Sequence, residues 1–371
     1  MSPSRLAGKV VLLAAGGTGG HLFPAFALSE ELQRRGALVD LVTDERGDRY
    51  GTGFPARAIH TVPSATLASK SPLAVAGTVG KLGRGVLAAR RLLSDIKPAV
   101  VMGFGGYPTF PPLVAARLKG VPTAIHEQNA VMGRANRMLV GYITAMAASW
   151  EDTRLIPDKA RSKVHVTGNP VRGAVLLAAR APYTPPVAGG TFNLVVFGGS
   201  QGARFFSDAV PPALIGLPQA LRSRLSVVQQ CREEDLERVR SAYTAAGIRA
   251  ELAPFFTDLP QRMAGAHLVI ARSGASSVSE LTVLGRPSIL VPLPHSLDND
   301  QLANARRLAA AGGSWCIEQK DLTPDRLGHE IAALIESPER LATAAKAARG
   351  LGRPDAVTLL ADLVEQLAGA G

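Results

Sequence analysis

Three glycine-rich stretches carry residues whose types and spacing suit chemistry. The first, Gly16-Gly17-Thr18-Gly19-Gly20, follows an apolar run over 10–15 and is followed at once by His21. Backbone N–H groups at a strand-to-helix turn bind anions through exposed donors and the helix dipole. The stretch is not G-x-G-x-x-G, because Leu22 stands at the last glycine's place, and no Lys-[Ser/Thr] follows to make a Walker A loop. Four glycines in five positions exceed what a tight turn alone asks for. His21, at the start of a helix, can accept a proton from a hydroxyl, although a lone histidine is more often structural.

The second and third stretches are Gly103-Phe104-Gly105-Gly106-Tyr107 and Gly198-Gly199-Ser200-Gln201-Gly202. Three anion-suited turns at the carboxyl ends of strands would line one crevice and point to a ligand pair rich in phosphate. His126-Glu127-Gln128-Asn129 lacks the second histidine of the zinc motif, so no metal is implied there. In Arg272-Ser273-Gly274-Ala275-Ser276-Ser277-Val278-Ser279-Glu280, Ser277 and Glu280 have the spacing of a capping box. The same Glu280 also suits two hydrogen bonds from a ribose diol. Asp298-Asn299-Asp300 resembles the metal-binding D-x-D of nucleotide-sugar enzymes but reads better as the cap of a following helix.

The elements that must position these residues follow from the apolar runs. Short strands are predicted over 10–15, 38–42, 99–102, 123–125, 144–148 and 164–167, with helical patterns between most of them. That alternation argues for a doubly wound α/β sheet. Prolines 170, 182, 185 and 186 with Gly189 and Gly190 break the pattern, so 170–191 reads as a linker. The pattern restarts with strands over 194–197, 226–229, 268–271, 288–291 and 315–317. Both halves repeat one design, apolar strand, Gly-Gly-[Thr/Ser]-x-Gly, helix. The reading is two Rossmann-like doubly wound domains facing each other across a cleft: 1–169, then 192–354 after the linker. A last helix, about 355–371, can pack on either domain.

The 371 residues suffice for two cores. Apolar residues at 46% and charged residues at 19% exclude a disordered chain. Two cysteines are too few for a disulfide framework or a zinc cluster. Residues 1–8 lack a signal peptide's apolar core. The net charge of +11 is lopsided: residues 1–170 hold 21 Lys+Arg against 11 Asp+Glu, and 171–371 hold 20 against 19. A basic first half implies an anionic partner, whether nucleic acid, acidic lipid or polyphosphate, or else a merely solvated face. Aromatics at 5% and the lack of a binding motif weigh against nucleic acid. The uncharged stretch 98–116 is too broken by Pro98, Pro108, Pro111 and Pro112 to span a bilayer.

Taken in order, Gly-Gly-Thr-Gly-Gly-His at 16–21, Gly-Gly-Tyr at 105–107, His-Glu-Gln-Asn at 126–129, Gly-Asn-Pro-Val-Arg at 168–172, Gly-Gly-Ser-Gln-Gly-Ala at 198–203, Arg-Ser-Gly-Ala at 272–275 and Asp-Asn-Asp-Gln-x-x-Asn-Ala at 298–305 resemble the MurG family. These are the bacterial glycosyltransferases that make lipid II for peptidoglycan. The resemblance covers nearly the whole chain and implies a GT-B fold. It implies an inverting transfer of N-acetylglucosamine from UDP-N-acetylglucosamine to the C4 hydroxyl of lipid I, the undecaprenyl-diphosphate-linked N-acetylmuramoyl-pentapeptide.

The resemblance also distributes roles. His21 is the expected base. Ser200 and Gln201 would sit at the donor diphosphate, Glu280 at the ribose, and Phe256 against the uracil, where some relatives carry a smaller aliphatic residue. Ala275, Ser276 and Ser277 would line the nucleotide, and Gln301 and Asn304 would hold the sugar hydroxyls. Thr18, Gly19, Gly20, Asn129 and Arg172 are also expected to approach the donor. Gly17, Gly105, Gly106, Tyr107 and Glu127 would serve the acceptor diphosphate. After Tyr107 the chain reads Pro-Thr-Phe-Pro where the family has Val-Ser-Gly-Pro, which leaves the backbone of that loop open at Phe110.

No protein-bound metal is expected; Mg2+ would assist through the acceptor diphosphate. The lipid acceptor implies a peripheral protein at the cytoplasmic face of the membrane, attracted by anionic lipid. Leu73, Val75, Val79, Leu82, Val86 and Leu87 would form an apolar patch beside Lys70, Lys81, Arg84, Arg90 and Arg91. The competing reading packs Leu82, Val86 and Leu93 into a core. Two functional alternatives stay open: a GT-B transferase acting on another glycolipid or secondary metabolite, and, more distantly, a basic nucleic-acid-binding protein.

Overall fold

The computed structural model describes residues 5–44, 53–64, 72–199 and 203–369. These form two compact units, residues 1–172 with 353–371, and residues 173–352.

The first unit is a seven-stranded parallel sheet. Its strands are β1 (Val10–Ala14), β2 (Leu38–Thr43), β3 (Ala58–Thr61), β4 (Val100–Gly103), β5 (Thr123–Glu127), β6 (Ala145–Ala148) and β7 (Val164–Val166), in the order β3-β2-β1-β4-β5-β6-β7. A parallel strand covered on both faces must be apolar on both, and β1 shows why the run Val-Val-Leu-Leu-Ala fits. Val11 and Leu13 face one core, with the helices Gly19–Arg34 and Ala356–Gly369; Leu12 and Ala14 face the other, with the helices Pro72–Ile96 and Phe110–Leu118. Strand order reverses between β1 and β4, the place where doubly wound sheets open a crevice at their carboxyl ends.

The C-terminal helix belongs to this unit. Leu360, Leu363, Val364 and Leu367 enter the core under Gly19–Arg34, and Arg35 Nη1 pairs with Asp362 at 2.6 Å and Glu365 at 3.1 Å. Strand β3 was not anticipated. It lies at the sheet edge, and its His60 and the preceding Arg57 both reach Asp40, a buried carboxylate on β2. Arg57 donates to both Asp40 oxygens, at 2.9 and 3.0 Å, and His60 Nε2 lies 2.9 Å from Oδ2. The paired charge resolves how an aspartate can sit inside an apolar strand.

The second unit holds six parallel strands: β8 (Phe192–Phe197), β9 (Leu225–Gln230), β10 (Arg249–Ala253), β11 (Leu268–Ala271), β12 (Ser288–Leu290) and β13 (Ser314–Cys316), ordered β10-β9-β8-β11-β12-β13. Again the order reverses between the first and fourth strands, here β8 and β11. Strand β10 is a second unanticipated edge strand.

Residues 173–191, expected as linker, are packed on this unit. The Tyr183 hydroxyl donates to the His267 carbonyl at 3.0 Å, and the Arg286 guanidinium lies over the Tyr183 ring. Arg286 also donates to the Ala181 carbonyl at 3.2 Å. A buried arginine needs such acceptors, so the proline-rich stretch is held as structure rather than left as a tether.

Candidate functional site

In the first unit, the exits of β1 and β4 meet. The Gly16 N–H donates to the Gly105 carbonyl at 3.0 Å, and the Phe104 N–H to the Ala14 carbonyl at 2.8 Å. Gly105 and Gly106 both have left-handed φ, +92° and +79°. A side chain there would collide: a Cβ on Gly105 would stand 3.0 Å from His21 Cε1, and one on Gly106 would stand 3.0 Å from Gly16 Cα. The His21 ring therefore rests against both glycine loops, with Nδ1 buried and the residue as a whole half-exposed.

The helix Gly19–Arg34 begins beneath this junction. Thr18 at its N-cap makes no side-chain hydrogen bond, and its first turn contains no acidic residue. Neither a capping side chain nor an acidic residue of the first turn offsets the positive end of its dipole. Gly17 and Gly19 are buried, Thr18 is half-buried and Gly20 is exposed at this start.

The second loop closes without a glycine at 110. Tyr107–Thr109 forms a 3-10 turn, and the Thr109 hydroxyl donates to the Gly106 carbonyl at 2.7 Å. Phe110 sits in ordinary right-handed helical conformation, φ −63° and ψ −53°, as the first residue of Phe110–Leu118. No conformation reserved for glycine is needed at this position.

Glu127 requires a correction. Its carboxylate is 1% exposed. Oε1 accepts from the Asn129 N–H and Nδ2, and Oε2 from the Gly133 N–H at 2.9 Å and Asn136 Nδ2 at 2.8 Å. Burial raises its pKa, opposed by these donors. A carboxylate so committed fastens the 129–136 segment and offers nothing to a diphosphate. Asn129, half-buried beside it, donates its backbone N–H and one Nδ2 hydrogen to that carboxylate. His126 is also structural: buried, it donates through Nε2 to the Gly168 carbonyl at 2.9 Å. Desolvation pushes its pKa down to about 4, so it is neutral at pH 7. Arg172, at the end of the same segment, lies half-buried over the Phe23 ring.

In the second unit, Ser200 and Gln201 lie outside the described residues. Around them, the Gly198 N–H donates to Gln230 Oε1 at 3.1 Å, Gly199 has φ +83°, and Ala203 caps Arg204–Ile215 without a side-chain bond. That helix too lacks an acidic residue in its first turn.

The exit of β11 is held from below. Arg272 is buried and donates to the Val291 and Pro292 carbonyls and to Gln319 Oε1, while desolvation lowers its pKa to about 10. Ser273 Oγ donates to the Gln301 carbonyl at 2.8 Å, and Asn304 Nδ2 to the Ser273 carbonyl at 3.1 Å. Asn304 is 1% exposed, so it supports this turn rather than reaching a sugar hydroxyl. Gln301 accepts from the Leu293 N–H through Oε1. Of Asp298-Asn299-Asp300, expected to cap the next helix, Asn299 occupies the N-cap without a side-chain bond, and Asp300 Oδ1 accepts from the Gln301 N–H.

The capping box fails as well. The helix Ala275–Leu284 is capped by Gly274, so Ser277 is its third residue. Ala275, Ser276, Ser277 and the buried Glu280 share its first two turns, and among the described residues the buried Ser276 Oγ has no hydrogen-bond partner. Phe256 is 8% exposed, with Arg262 4.4 Å above its ring. Arg262 is fixed there by Glu251 and Asp258, which leaves Phe256 little surface for a base. Gln128 and Thr109 hold the second glycine loop; the sequence signals them only by their place, Gln128 within His-Glu-Gln-Asn and Thr109 two residues after Gly-Gly-Tyr.

Similarity to known proteins agrees with this layout. Residues 11–148 match the glycosyltransferase family 28 N-terminal domain, and residues 193–360 the glycosyltransferase family 28 C-terminal domain. A UDP-N-acetylglucosamine–N-acetylmuramyl-(pentapeptide) pyrophosphoryl-undecaprenol N-acetylglucosamine transferase from Mesorhizobium japonicum is 55% identical over 98% of this chain and 96% of its own length. One of the same description from Brucella abortus is 53% identical over 97% and 94%. The crystal structure of Acinetobacter baumannii MurG superposes with TM-score 0.78 at 29% identity, covering 96% of this chain and 99% of that one. A UDP-GlcNAc 2-epimerase from Neisseria meningitidis, at 16% identity and TM-score 0.68, shares the fold alone. Two sheets of one strand order, each with an uncapped helix at its switch point, are the GT-B fold, and with relatives more than half identical along almost every residue the chain belongs to glycosyltransferase family 28, among its MurG members.

Proposed function

We infer that this protein moves N-acetylglucosamine from UDP-N-acetylglucosamine to the C4 hydroxyl of lipid I, giving lipid II. The observation that carries this reading is the 55% identity to a curated transferase of that description along 98% of the chain. In a single inverting displacement the hydroxyl oxygen bonds to the sugar C1 as the C1–O bond to UDP breaks. The bonding pair leaves with UDP, and the hydroxyl proton goes to a base.

His21 is assigned as that base, supported by the place of its ring against both glycine loops. Gly17 and Gly105 to Tyr107 hold the acceptor diphosphate through backbone N–H groups, while Thr18, Gly19 and Gly20 approach the donor. In the second unit, Ser200, Gln201 and the start of Arg204–Ile215 stabilise the departing diphosphate through backbone donors and the helix dipole. Glu280 takes the ribose hydroxyls, with Ser276 and Ser277 beside it, and Gln301 takes the sugar. Mg2+ would assist by neutralising charge on the acceptor diphosphate.

The acceptor's polyprenyl tail stays in the bilayer, so the protein works at the membrane surface. No helix among the described residues is long and apolar enough to cross a membrane. Lys81, Arg84, Arg90 and Arg91 are all exposed on the helix Pro72–Ile96, which supports reversible docking on an anionic cytoplasmic leaflet.

Incubation with radiolabelled UDP-N-acetylglucosamine and a lipid I analogue tests the reaction. One β-linked N-acetylglucosamine on the glycolipid is the expected product. Turnover of a soluble uncharged acceptor with none of lipid I would instead favour a GT-B transferase of another substrate class.

A further inference from the structure

Main-chain pairing between β4 and β5 stops at Gly103 and Ile125. The β1 ladder stops at the same level, with Ala14 opposite Gly103. The next residue, Phe104, is fully buried, and its carbonyl lies past the end of the β4–β5 ladder. A buried carbonyl needs a donor. Gln128 supplies it: Nε2 donates to the Phe104 carbonyl at 2.9 Å and to the His126 carbonyl at 3.2 Å. Gln128 is itself buried. Its amide therefore extends the β4–β5 pairing by one step with a side chain, in the position where a strand would otherwise fray into loop. The residue fastened in this way directly precedes Gly105, whose backbone bears on the His21 ring.

We propose that Gln128 is a positioning residue for the transfer, holding the second glycine loop in register against His21. It touches no substrate. It acts by fixing the Phe104 carbonyl, hence the left-handed turn at Gly105 and Gly106, hence the surface on which the imidazole rests. The proposal rests on the assignment of His21 as base and of this loop to the acceptor. Reacting groups displaced by about 1 Å lose on the order of 10²-fold in rate, so a loosened loop is costly even though the protein stays folded.

The test is Gln128→Leu, close in volume but without the donor. In it, kcat falls about 10–100-fold and the acceptor KM rises, while the KM for UDP-N-acetylglucosamine stays within twofold. Backbone amide exchange accelerates at Gly16, Phe104 and Thr109, whose N–H groups are bonded to or from this loop, and not elsewhere in the first unit. In a His21→Ala background, Gln128→Leu costs less than twofold further, because two residues acting through one group are not additive. Unchanged exchange at those amides, or full additivity with His21→Ala, overturns the proposal. If His21→Ala alone leaves kcat at the wild-type level, the base assignment falls, and amide exchange alone then decides whether Gln128 holds the loop. Should Gln128→Leu fail to fold, Gln128→Glu decides: its neutral acid still donates to the Phe104 carbonyl and its ionised form cannot. Its kcat relative to wild type then drops as pH rises, and a ratio constant with pH overturns the proposal.

Discussion

The guanidinium carbon of Arg172 lies 4.4 Å from the centre of the Phe23 ring. Phe23 is two residues beyond His21 on the same helix, so the last residue of the first unit's main segment is stacked on the helix that carries the assigned base. A cation on an aromatic face gains about 0.5–2 kcal/mol, more as water is excluded. The stack holds the Arg172 side chain in one orientation at the end of the 168–172 segment, which His126 fastens from the other side.

Removing the ring should therefore act through the arginine. Phe23→Leu is expected to raise the donor KM about 3–10-fold, from the loss of a stack worth roughly 1 kcal/mol. Arg172→Ala should raise it at least as much, and Phe23→Leu added to Arg172→Ala should change nothing more. Steady-state kinetics on the four proteins of this cycle checks it; equal and additive effects would show that the stack does not position Arg172.

Glu280 yields a sharper expectation now that Gly274 holds the cap. Glu280→Ala should raise the donor KM about 10–100-fold, as for a lost hydrogen bond to a charged group, with little change in kcat. A donor lacking the ribose 2′-hydroxyl should lose less affinity in the variant than in the wild type. Equal losses in the two would remove the ribose from Glu280.

For His21, His21→Ala and His21→Gln are expected to lower kcat by about 10²–10⁴-fold with donor KM nearly unchanged, the cost of losing a general base. A raised donor KM with kcat near wild type would move His21 to a positioning role.

What the sequence made legible was whatever is written in local pattern. Strands β1 and β11 are unbroken apolar runs because parallel strands are buried on both faces, and they stand where the runs stand. Strands β3 and β10 are Ala-Ile-His-Thr and Arg-Ala-Glu-Leu-Ala at the sheet edges, half-exposed, and have no such run to read. The glycine loops were visible as motifs, but the close approach that leaves no room for a Cβ on Gly105 beside His21 joins residues 84 positions apart. Burial was least legible. Glu127, Asn304 and Phe256 have the right types for ligand contact, and only the packed structure shows their polar or aromatic faces already taken.

His126 makes a pH prediction. Its pKa is about 4 in the folded protein against an ordinary value near 6.5. The unfolded chain thus binds the extra proton first, and stability present above pH 6.5 is lost as pH falls toward 4, by about 3 kcal/mol at most. Glu127, raised by burial, contributes the opposite slope. His126→Gln keeps a donor for the Gly168 carbonyl and cannot titrate, and Glu127's share is common to both proteins. Melting temperatures from pH 7 to 4 should fall less steeply in the variant; parallel curves would mean that His126 does not titrate in that window.

The last prediction concerns the membrane face. The helix Pro72–Ile96 spends most of its described apolar surface inward. Ala89 and Leu93 are buried, Val86 packs against the same core, Gly85 has no room for a Cβ beside the Pro63 carbonyl, and Leu82 is half-buried. The side chains of Leu73, Val75 and Val79, and all of Lys70, lie outside the described residues. Leu87, at 60% exposure, is the expected patch residue that clearly faces out. The expected patch is thus thinner than its sequence implies, and the four exposed cations must supply most of the attraction. Near an anionic surface each contributes about 1 kcal/mol, and one leucine adds at most about 1.5–3 kcal/mol when fully inserted. Co-sedimentation with phosphatidylglycerol-containing vesicles should therefore weaken steeply with salt, which screens exposed charges within about 10 Å at 0.1 M. Changing Lys81, Arg84, Arg90 and Arg91 together to Glu should abolish it, whereas Leu87→Ser should weaken it only about tenfold, in line with part of that leucine's transfer free energy. Equal binding to neutral vesicles, or retention by the fourfold variant, would leave the basic charge of the first unit to the acceptor diphosphate alone.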